Sequence, residues 1–109
     1  MPKNLSALRL EPKYLKIVQG ILQKIIPDHD VAVFGSRTQP EAVLRRGSDL
    51  DLALMGKNGL DLKTQSILAT EFDEAPLPMK IDLVLWAEMT PEFQKLIQND
   101  LIFIQKKKS

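Results

Sequence analysis

The chain has 109 residues, a formal net charge of +1 and no cysteine. This length fits one domain with a modest core, so we expect a single domain over residues 1–109. The missing cysteines exclude disulfides and thiolate metal sites, and the small net charge argues against nucleic-acid binding, which normally needs a basic face. No apolar run reaches the ~20 residues of a membrane span, and residues 1–12 lack a signal-peptide core. A cytoplasmic location without a membrane partner is therefore expected.

Hydrophobic periodicity predicts the elements of the first half of the chain. Apolar residues recur at helical spacing over residues 12–26, and Pro27 ends this helix. Residues 30–35 are apolar almost throughout, which is typical of a strand buried on both faces. A second strand is predicted over residues 49–55, and the turn-forming residues 56–59 end it.

The second half continues the alternation of helices and strands. Thr90 is suited to cap a helix whose first residue is Pro91, because its hydroxyl can accept from a free amide and proline needs no donor there. The lysines at 106–108 are interpreted as a solvated tail. The predicted elements are a helix over 60–72, a strand over 80–86, a helix from Pro91 to about Asn99, and an edge strand over 101–104. This order predicts an α/β (α+β) fold with a small mixed β-sheet backed by helices.

Two aspartates lie two positions apart in the second predicted strand. Because strand side chains alternate, Asp49 and Asp51 point to one face, with Cα atoms roughly 6.5–7 Å apart. Carboxylates this close raise each other's pKa unless a cation lies between them, and a hard divalent ion such as Mg²⁺ satisfies this need. A pair of solvated surface carboxylates is the alternative. Asp82, the acid of the third strand, is either a third ligand or a charge that protects an edge strand from aggregation.

Gly35 ends the first predicted strand, and together with the following Ser36 and Arg37 it suggests a phosphate-binding turn. Glycine allows close approach of the backbone, and the serine hydroxyl and the amides at a helix start can donate to an anion. Simple helix capping by Ser36 would use the same amides, so the two interpretations are compatible. Arg37 is a candidate phosphate contact, with a solvated residue at the helix start as the alternative.

These motifs, in this order, resemble those of the nucleotidyltransferase superfamily of DNA polymerase beta type. That family is marked by Gly-Ser, a spacer, Asp-x-Asp and a third Asp on a later strand. The likeness is strongest to the minimal nucleotidyltransferases of bacteria and archaea and covers about residues 12–105. The resemblance implies a polymerase-beta-like fold. It also implies that the catalytic residues and metal ligands are Asp49, Asp51 and Asp82. The nucleotide-binding residues that it implies are Gly35, Ser36 and Arg37.

The spacer between Gly-Ser and Asp-x-Asp is longer than is usual in the family. It runs from Arg37 to Ser48, and the additional residues fall around Pro40. A proline at the fourth position of a helix has no N–H to donate. We therefore expect this helix to start irregularly, or to restart at Pro40 and stop at Gly47.

The resemblance also implies a reaction and a partner. An enzyme of this kind transfers a nucleoside monophosphate, here AMP from ATP, to a hydroxyl acceptor, with Mg²⁺ (or Mn²⁺) as cofactor. Similar proteins are encoded with a helical partner of the HEPN type and act as antitoxins that modify a tyrosine on that partner. The alternative is a non-catalytic binding module that neutralises a helical partner by contact. A glycosyltransferase using Asp-x-Asp is disfavoured by the short chain, and the acceptor, base preference and oligomeric state are left open.

Four further residues have less specific interpretations. His29 is expected to be a plain loop residue, and Trp86 a core residue rather than a base-stacking one. Ser48 is expected to order the turn before Asp49. Lys80 either steers phosphate or is simply solvated at the start of its strand.

Overall fold

The computed structural model describes residues 2–56 and 59–107, which form one mixed sheet and three α-helices. Short 3₁₀ turns occur at Leu5–Ala7, Ser36–Thr38, Trp86–Glu88 and Gln98–Asp100. The strands are β1 (Val31–Phe34), β2 (Leu50–Leu54), β3 (Ile81–Leu85) and β4 (Ile102–Gln105). The helices are α1 (Pro12–Ile25), α2 (Leu62–Glu74) and α3 (Pro91–Ile97). The predicted small mixed sheet with helices is confirmed.

The strands lie in the order β3-β2-β1-β4. β1 is antiparallel to both β2 and β4, whereas β2 and β3 are parallel. Parallel neighbours need a crossover connection, and α2 supplies it between β2 and β3. This arrangement places β3 at one edge of the sheet and β1 in its interior.

The two faces of the sheet bury different sets of side chains. One face is covered by α1 and α2 and contains the larger apolar cluster, which includes Val18, Leu22, Val33, Leu52, Leu68 and Phe72. The other face carries a smaller cluster around Phe34, Ala53, Ile97 and Leu101, with α3 packed on it. All four residues of β1 are buried, because both faces of the strand are covered. The prediction of a doubly buried first strand is therefore confirmed.

Helix starts follow local capping. The Phe93 amide donates to the Thr90 hydroxyl at 3.2 Å, which confirms the predicted cap of α3. α2 begins at Leu62 rather than at the predicted residue 60, because Asp61 caps it by accepting from the Thr64 amide at 3.4 Å. The other predicted boundaries agree with the structure to within two residues. Part of the predicted turn at 56–59 and part of the lysine tail lie outside the described residues.

The loop between β1 and β2 corrects one prediction. The expected helix start at Ser36 is a 3₁₀ turn that ends at Thr38, and residues 39–49 contain no helix, so the predicted restart at Pro40 is wrong. The carbonyls of this segment accept from distant side chains rather than from helical amides. Lys3 donates to the Thr38 carbonyl, and Arg9 donates to the Gln39 and Ala42 carbonyls. Among the described residues, no helix is long and apolar enough to cross a membrane.

Replacing Leu52 by alanine tests the larger apolar cluster. Leu52 is fully buried in a central strand, so Leu52→Ala should lower the free energy of unfolding by about 2–5 kcal/mol, measured by chemical denaturation. Leu62, which is 82% exposed, is the matched control, and Leu62→Ala should change this free energy by less than about 0.5 kcal/mol. Equal losses in the two variants would contradict the packing described here.

Candidate active site

The aspartates of β2 and β3 meet across the parallel strand pair. Asp51 is the register partner of Asp82, and neighbouring strands lie about 4.8 Å apart. Leu50 and Leu52 point into the cluster under α1 and α2, so alternation directs Asp51 to the opposite face. Asp49 precedes β2 by one residue and is exposed, as is Asp82. The structure thus brings the three predicted carboxylates near one another at the neighbouring strands β2 and β3.

Gly35 brings the backbone against these carboxylates. Phe34 pairs with Asp51 in the antiparallel register, so Gly35 follows at the level of the aspartates. Its φ of +83° lies in the left-handed region, and a Cβ at this position would overlap a carboxylate oxygen of Asp51. A side chain at residue 35 is therefore excluded twice, by backbone conformation and by space.

Ser36 begins the 3₁₀ turn that follows this glycine and is half-buried. The amides of Thr38 and Gln39 already donate to the carbonyls of Gly35 and Ser36, at 3.0 and 3.1 Å. A phosphate next to Asp51 would therefore meet the Ser36 hydroxyl and the first amides of the turn. Phosphate binding by Gly35 and Ser36 stays a prediction, and the geometry is compatible with it.

The electrostatics of the site centre on Asp51. Burial raises the pKa of its carboxyl, and the neighbouring Asp82 and then Asp49 raise it further. These surroundings therefore disfavour the ionised form of Asp51, and a nearby cation would stabilise it.

The carboxylates do not form a ready-made metal cage. Within residues 2–56 and 59–107, no three His, Asp or Glu side chains converge closely enough to hold a metal ion by themselves. This is compatible with Mg²⁺, which usually binds through one or two carboxylates together with water and substrate phosphates. Metal binding by Asp49, Asp51 and Asp82 stays a prediction.

Arg37 lies in the loop rather than at the carboxylates. Its side chain is buried, and all three of its nitrogens donate to backbone carbonyls. The acceptors are Ser48 at 2.8 and 3.1 Å, Arg9 at 2.8 Å and Arg46 at 3.3 Å. Burial lowers the pKa of Arg37, and the nearby Arg9 lowers it further. Phosphate contact by Arg37 stays a prediction, but its observed partners are carbonyls.

The structure bears on the less specific interpretations to different degrees: the role of Ser48 is confirmed, Trp86 is only half-buried, and the alternatives for Lys80 stay open. The Ser48 hydroxyl accepts from the Arg45 amide at 2.9 Å and so orders the turn before Asp49. Trp86 packs against the smaller apolar cluster, and His29 lies in the loop between α1 and β1. Lys80 has an exposed side chain just before β3, and its carbonyl accepts from the Leu50 amide at 2.9 Å.

Sequence reasoning missed two residues near the site. Phe93 of α3 packs edge-on against Phe34, the register partner of Asp51, with ring centroids 6.0 Å apart. Its helical spacing from Ile97 was the available signal. Arg9 lies outside every motif, and nothing in its immediate sequence indicates that it reaches the loop after β1.

Comparison with known proteins identifies the family. The sequence matches the family described as "Polymerase beta, Nucleotidyltransferase" over residues 18–109. It is 36% identical over 104 residues to the probable protein adenylyltransferase MntA of Haemophilus influenzae (strain Rd), covering 95% of this chain and 90% of that protein. The chain therefore belongs to the polymerase-beta-type nucleotidyltransferase family. Within it, the chain is a minimal nucleotidyltransferase, and it is an enzyme.

Solved structures show the same fold. A mutant of the toxin–antitoxin MntA–HpeT superposes with a TM-score of 0.65 at 18% identity, over 86% of this chain and 74% of that chain. A toxin–antitoxin with AMP-PNP gives a TM-score of 0.64 at 22% identity, with the same coverage. The predicted polymerase-beta-like architecture is confirmed by these likenesses.

Gly35→Ala tests the contact between the glycine and Asp51. The substitution should lower the free energy of unfolding by about 1–3 kcal/mol and abolish nucleotidyl transfer, because the new methyl group displaces the Asp51 carboxylate. Thermal denaturation and a transfer assay measure the two effects. Gly20→Ala in α1 is the matched control, since nothing lies within 4 Å of the added methyl group, and a gain of about 0.5–1 kcal/mol is expected. Full activity in Gly35→Ala would contradict the proposed geometry.

The raised pKa of Asp51 predicts a pH dependence of stability. The folded chain holds the proton of the Asp51 carboxyl more tightly than the unfolded chain, in which this carboxyl has its ordinary pKa of 3.8. The free energy of unfolding therefore falls as pH rises from 3.8 through the pKa of the folded state. Asp51→Asn should therefore raise the free energy of unfolding at about pH 7 in metal-free buffer. The gain should shrink toward pH 3.8. Denaturant titrations at several pH values measure it, with Asp73→Asn as an exposed control. A gain that does not vary with pH would show that ionisation is not its cause.

Proposed function

We propose that this enzyme transfers AMP from ATP to a hydroxyl group of a partner protein, with Mg²⁺ as cofactor. The observation that carries the proposal is the juxtaposition of Asp51 with Asp82 beside Gly35. Carboxylates that repel each other, next to a glycine that leaves the backbone accessible, suit a substrate that brings both phosphates and a cation. The name of the Haemophilus relative, a probable protein adenylyltransferase, supports this choice of reaction.

The donor set fits a hard divalent ion. Asp49, Asp51 and Asp82 offer only carboxylate oxygens, which suit Mg²⁺ or Mn²⁺. When bound, such an ion neutralises the charge that develops on the transferred phosphoryl group. One structural neighbour carries two Asp→Glu substitutions at positions two residues apart. Asp49 and Asp51 have the same spacing.

The protein's own groups have distinct roles in the proposed reaction. Gly35 and Ser36 hold the β- and γ-phosphates, which orients the α-phosphorus toward β3. Asp82, exposed on the edge strand, accepts the proton of the acceptor hydroxyl. The acceptor oxygen bonds to the α-phosphorus as the bond from that phosphorus to the α–β bridging oxygen breaks, and pyrophosphate leaves.

The proposed acceptor lies on a HEPN-type helical protein, and the chain acts as the antitoxin of a toxin–antitoxin pair. Both Asp49 and Asp82 are exposed, so the carboxylate face is open and a partner can approach it. The structural neighbours are toxin–antitoxin proteins, one of them with AMP-PNP, an ATP analogue. We propose the cytoplasm as its location, since ATP and Mg²⁺ are available there.

Intact-mass measurement tests the proposal. Incubation of the chain with its HEPN-type partner, ATP and Mg²⁺ should add one AMP to the partner and none to this chain. The double variant Asp49→Asn, Asp51→Asn should lower the transfer rate by about a thousandfold, the scale expected when preorganised charge stabilisation is lost. The matched control is the double variant Asp61→Asn, Asp73→Asn, with both exposed aspartates on or beside α2.

One outcome would favour the non-catalytic binding module instead. The double variant at the site would neutralise the partner as well as the unmutated chain does, and no AMP would appear on the partner. A loss of neutralisation together with loss of AMP transfer would support the enzyme.

A further inference from the structure

The N-terminal segment reaches the loop after β1, although it lies outside the residues 18–109 that match the family. Lys3 Nζ donates to the Thr38 carbonyl at 2.6 Å. Arg9 Nη1 donates to the carbonyls of Gln39 and Ala42 at 2.7 and 2.5 Å. The Arg9 amide also donates to the Arg37 carbonyl at 2.9 Å. The first half of the loop is thus held by residues from a different part of the chain.

Arg37 holds the second half of the same loop. Its guanidinium donates twice to the Ser48 carbonyl and once to the Arg46 carbonyl, and its third nitrogen donates to Arg9. A planar guanidinium can serve several acceptors at fixed angles, which a lysine cannot do. The loop has no helix or strand of its own between residues 39 and 49, so these contacts take the place of regular hydrogen bonding.

These bonds end at the residues next to the proposed site. Ser48 supplies the carbonyl of the peptide bond that leads to Asp49, and Arg37 directly follows Ser36. On the other side of Asp49, the Leu50 amide donates to the Lys80 carbonyl at 2.9 Å. The backbone is therefore fixed on both sides of Asp49, by Arg37 and by the start of β3.

Lys3 also pairs with Asp100 at 3.1 Å, whereas the two arginines that hold the loop are bonded to carbonyls instead of carboxylates. Among the described residues, no carboxylate lies within ion-pair distance of Arg9 or Arg37. A buried cation without a counter-ion is unfavourable unless it is hydrogen-bonded, and here backbone carbonyls supply those bonds. The guanidinium of Arg37 is thus bonded through two nitrogens to the loop and through the third to the Arg9 carbonyl.

We propose that Arg9 and Arg37 are positioning residues of the nucleotidyl transfer reaction. They hold the loop over residues 39–48 and thereby fix the distance between Ser36, at the proposed phosphate site, and Asp49, at the proposed metal site. Arg37 acts through the Ser48 carbonyl rather than on phosphate. This inference rests on the proposed function of that site.

Two variants and two measurements test the proposal. In Arg9→Ala and in Arg37→Lys, trypsin should cut after the exposed Arg45 and Arg46 about tenfold faster, because the loop opens more often. The kcat of AMP transfer should fall by about tenfold or more in both variants, well below their unfolding temperatures. Lys24→Ala is the control, because it breaks an exposed ion pair with Glu71 and leaves the loop intact.

Three results would overturn the proposal. Unchanged cleavage in both variants would show that these side chains do not hold the loop. Faster cleavage with unchanged kcat and KM would make the network purely structural. A raised KM for ATP in Arg37→Lys alone, with Arg9→Ala fully active, would make Arg37 a phosphate ligand. Absence of transfer by the unmutated chain would instead contradict the proposed function, while the cleavage rates would still report on the loop.

Discussion

The repulsion between Asp51 and Asp82 is the constraint on which the rest of this small fold depends. Two carboxylates at one level of adjoining parallel strands oppose the pairing of those strands. The opposite face of the same strands supplies the compensation, because Leu50, Leu52 and Leu54 are buried there under α1 and α2. The crossover through α2 thus both creates the parallel register and covers the apolar face that makes the register stable.

The approach to the carboxylates is set by backbone rather than by side chains. β1 is antiparallel to β2, so the chain leaves β1 beside Asp51 and must turn there without a Cβ. From this turn onward, the loop is shaped by Arg9, Arg37 and Lys3 through carbonyl groups. The proposed site therefore combines carboxylates on two paired strands with a loop whose conformation depends on long-range contacts.

Much of the fold could be predicted from the sequence, because alternation and capping are local. The period of two in β2 placed its leucines on one face and Asp51 on the other, and Thr90 marked the start of α3. The strand order and the register of Asp51 with Asp82 involve residues far apart in sequence and had no local signal. The loop after Ser36 was predicted wrongly for the same reason. Its hydrogen-bond partners are Lys3 and Arg9, about 30 residues away.

The raised pKa of the Asp51 carboxyl has a consequence for evolutionary selection. If a cation and nucleotide bind as proposed, a sheet whose ion-free form is weakened by its own aspartates gains stability on binding, since binding and folding are linked. Natural or laboratory selection for heat resistance alone would therefore favour replacement of Asp51 by an uncharged residue. Retention of all three aspartates in a homologue would accordingly indicate that selection has maintained catalytic activity at a cost in thermal stability.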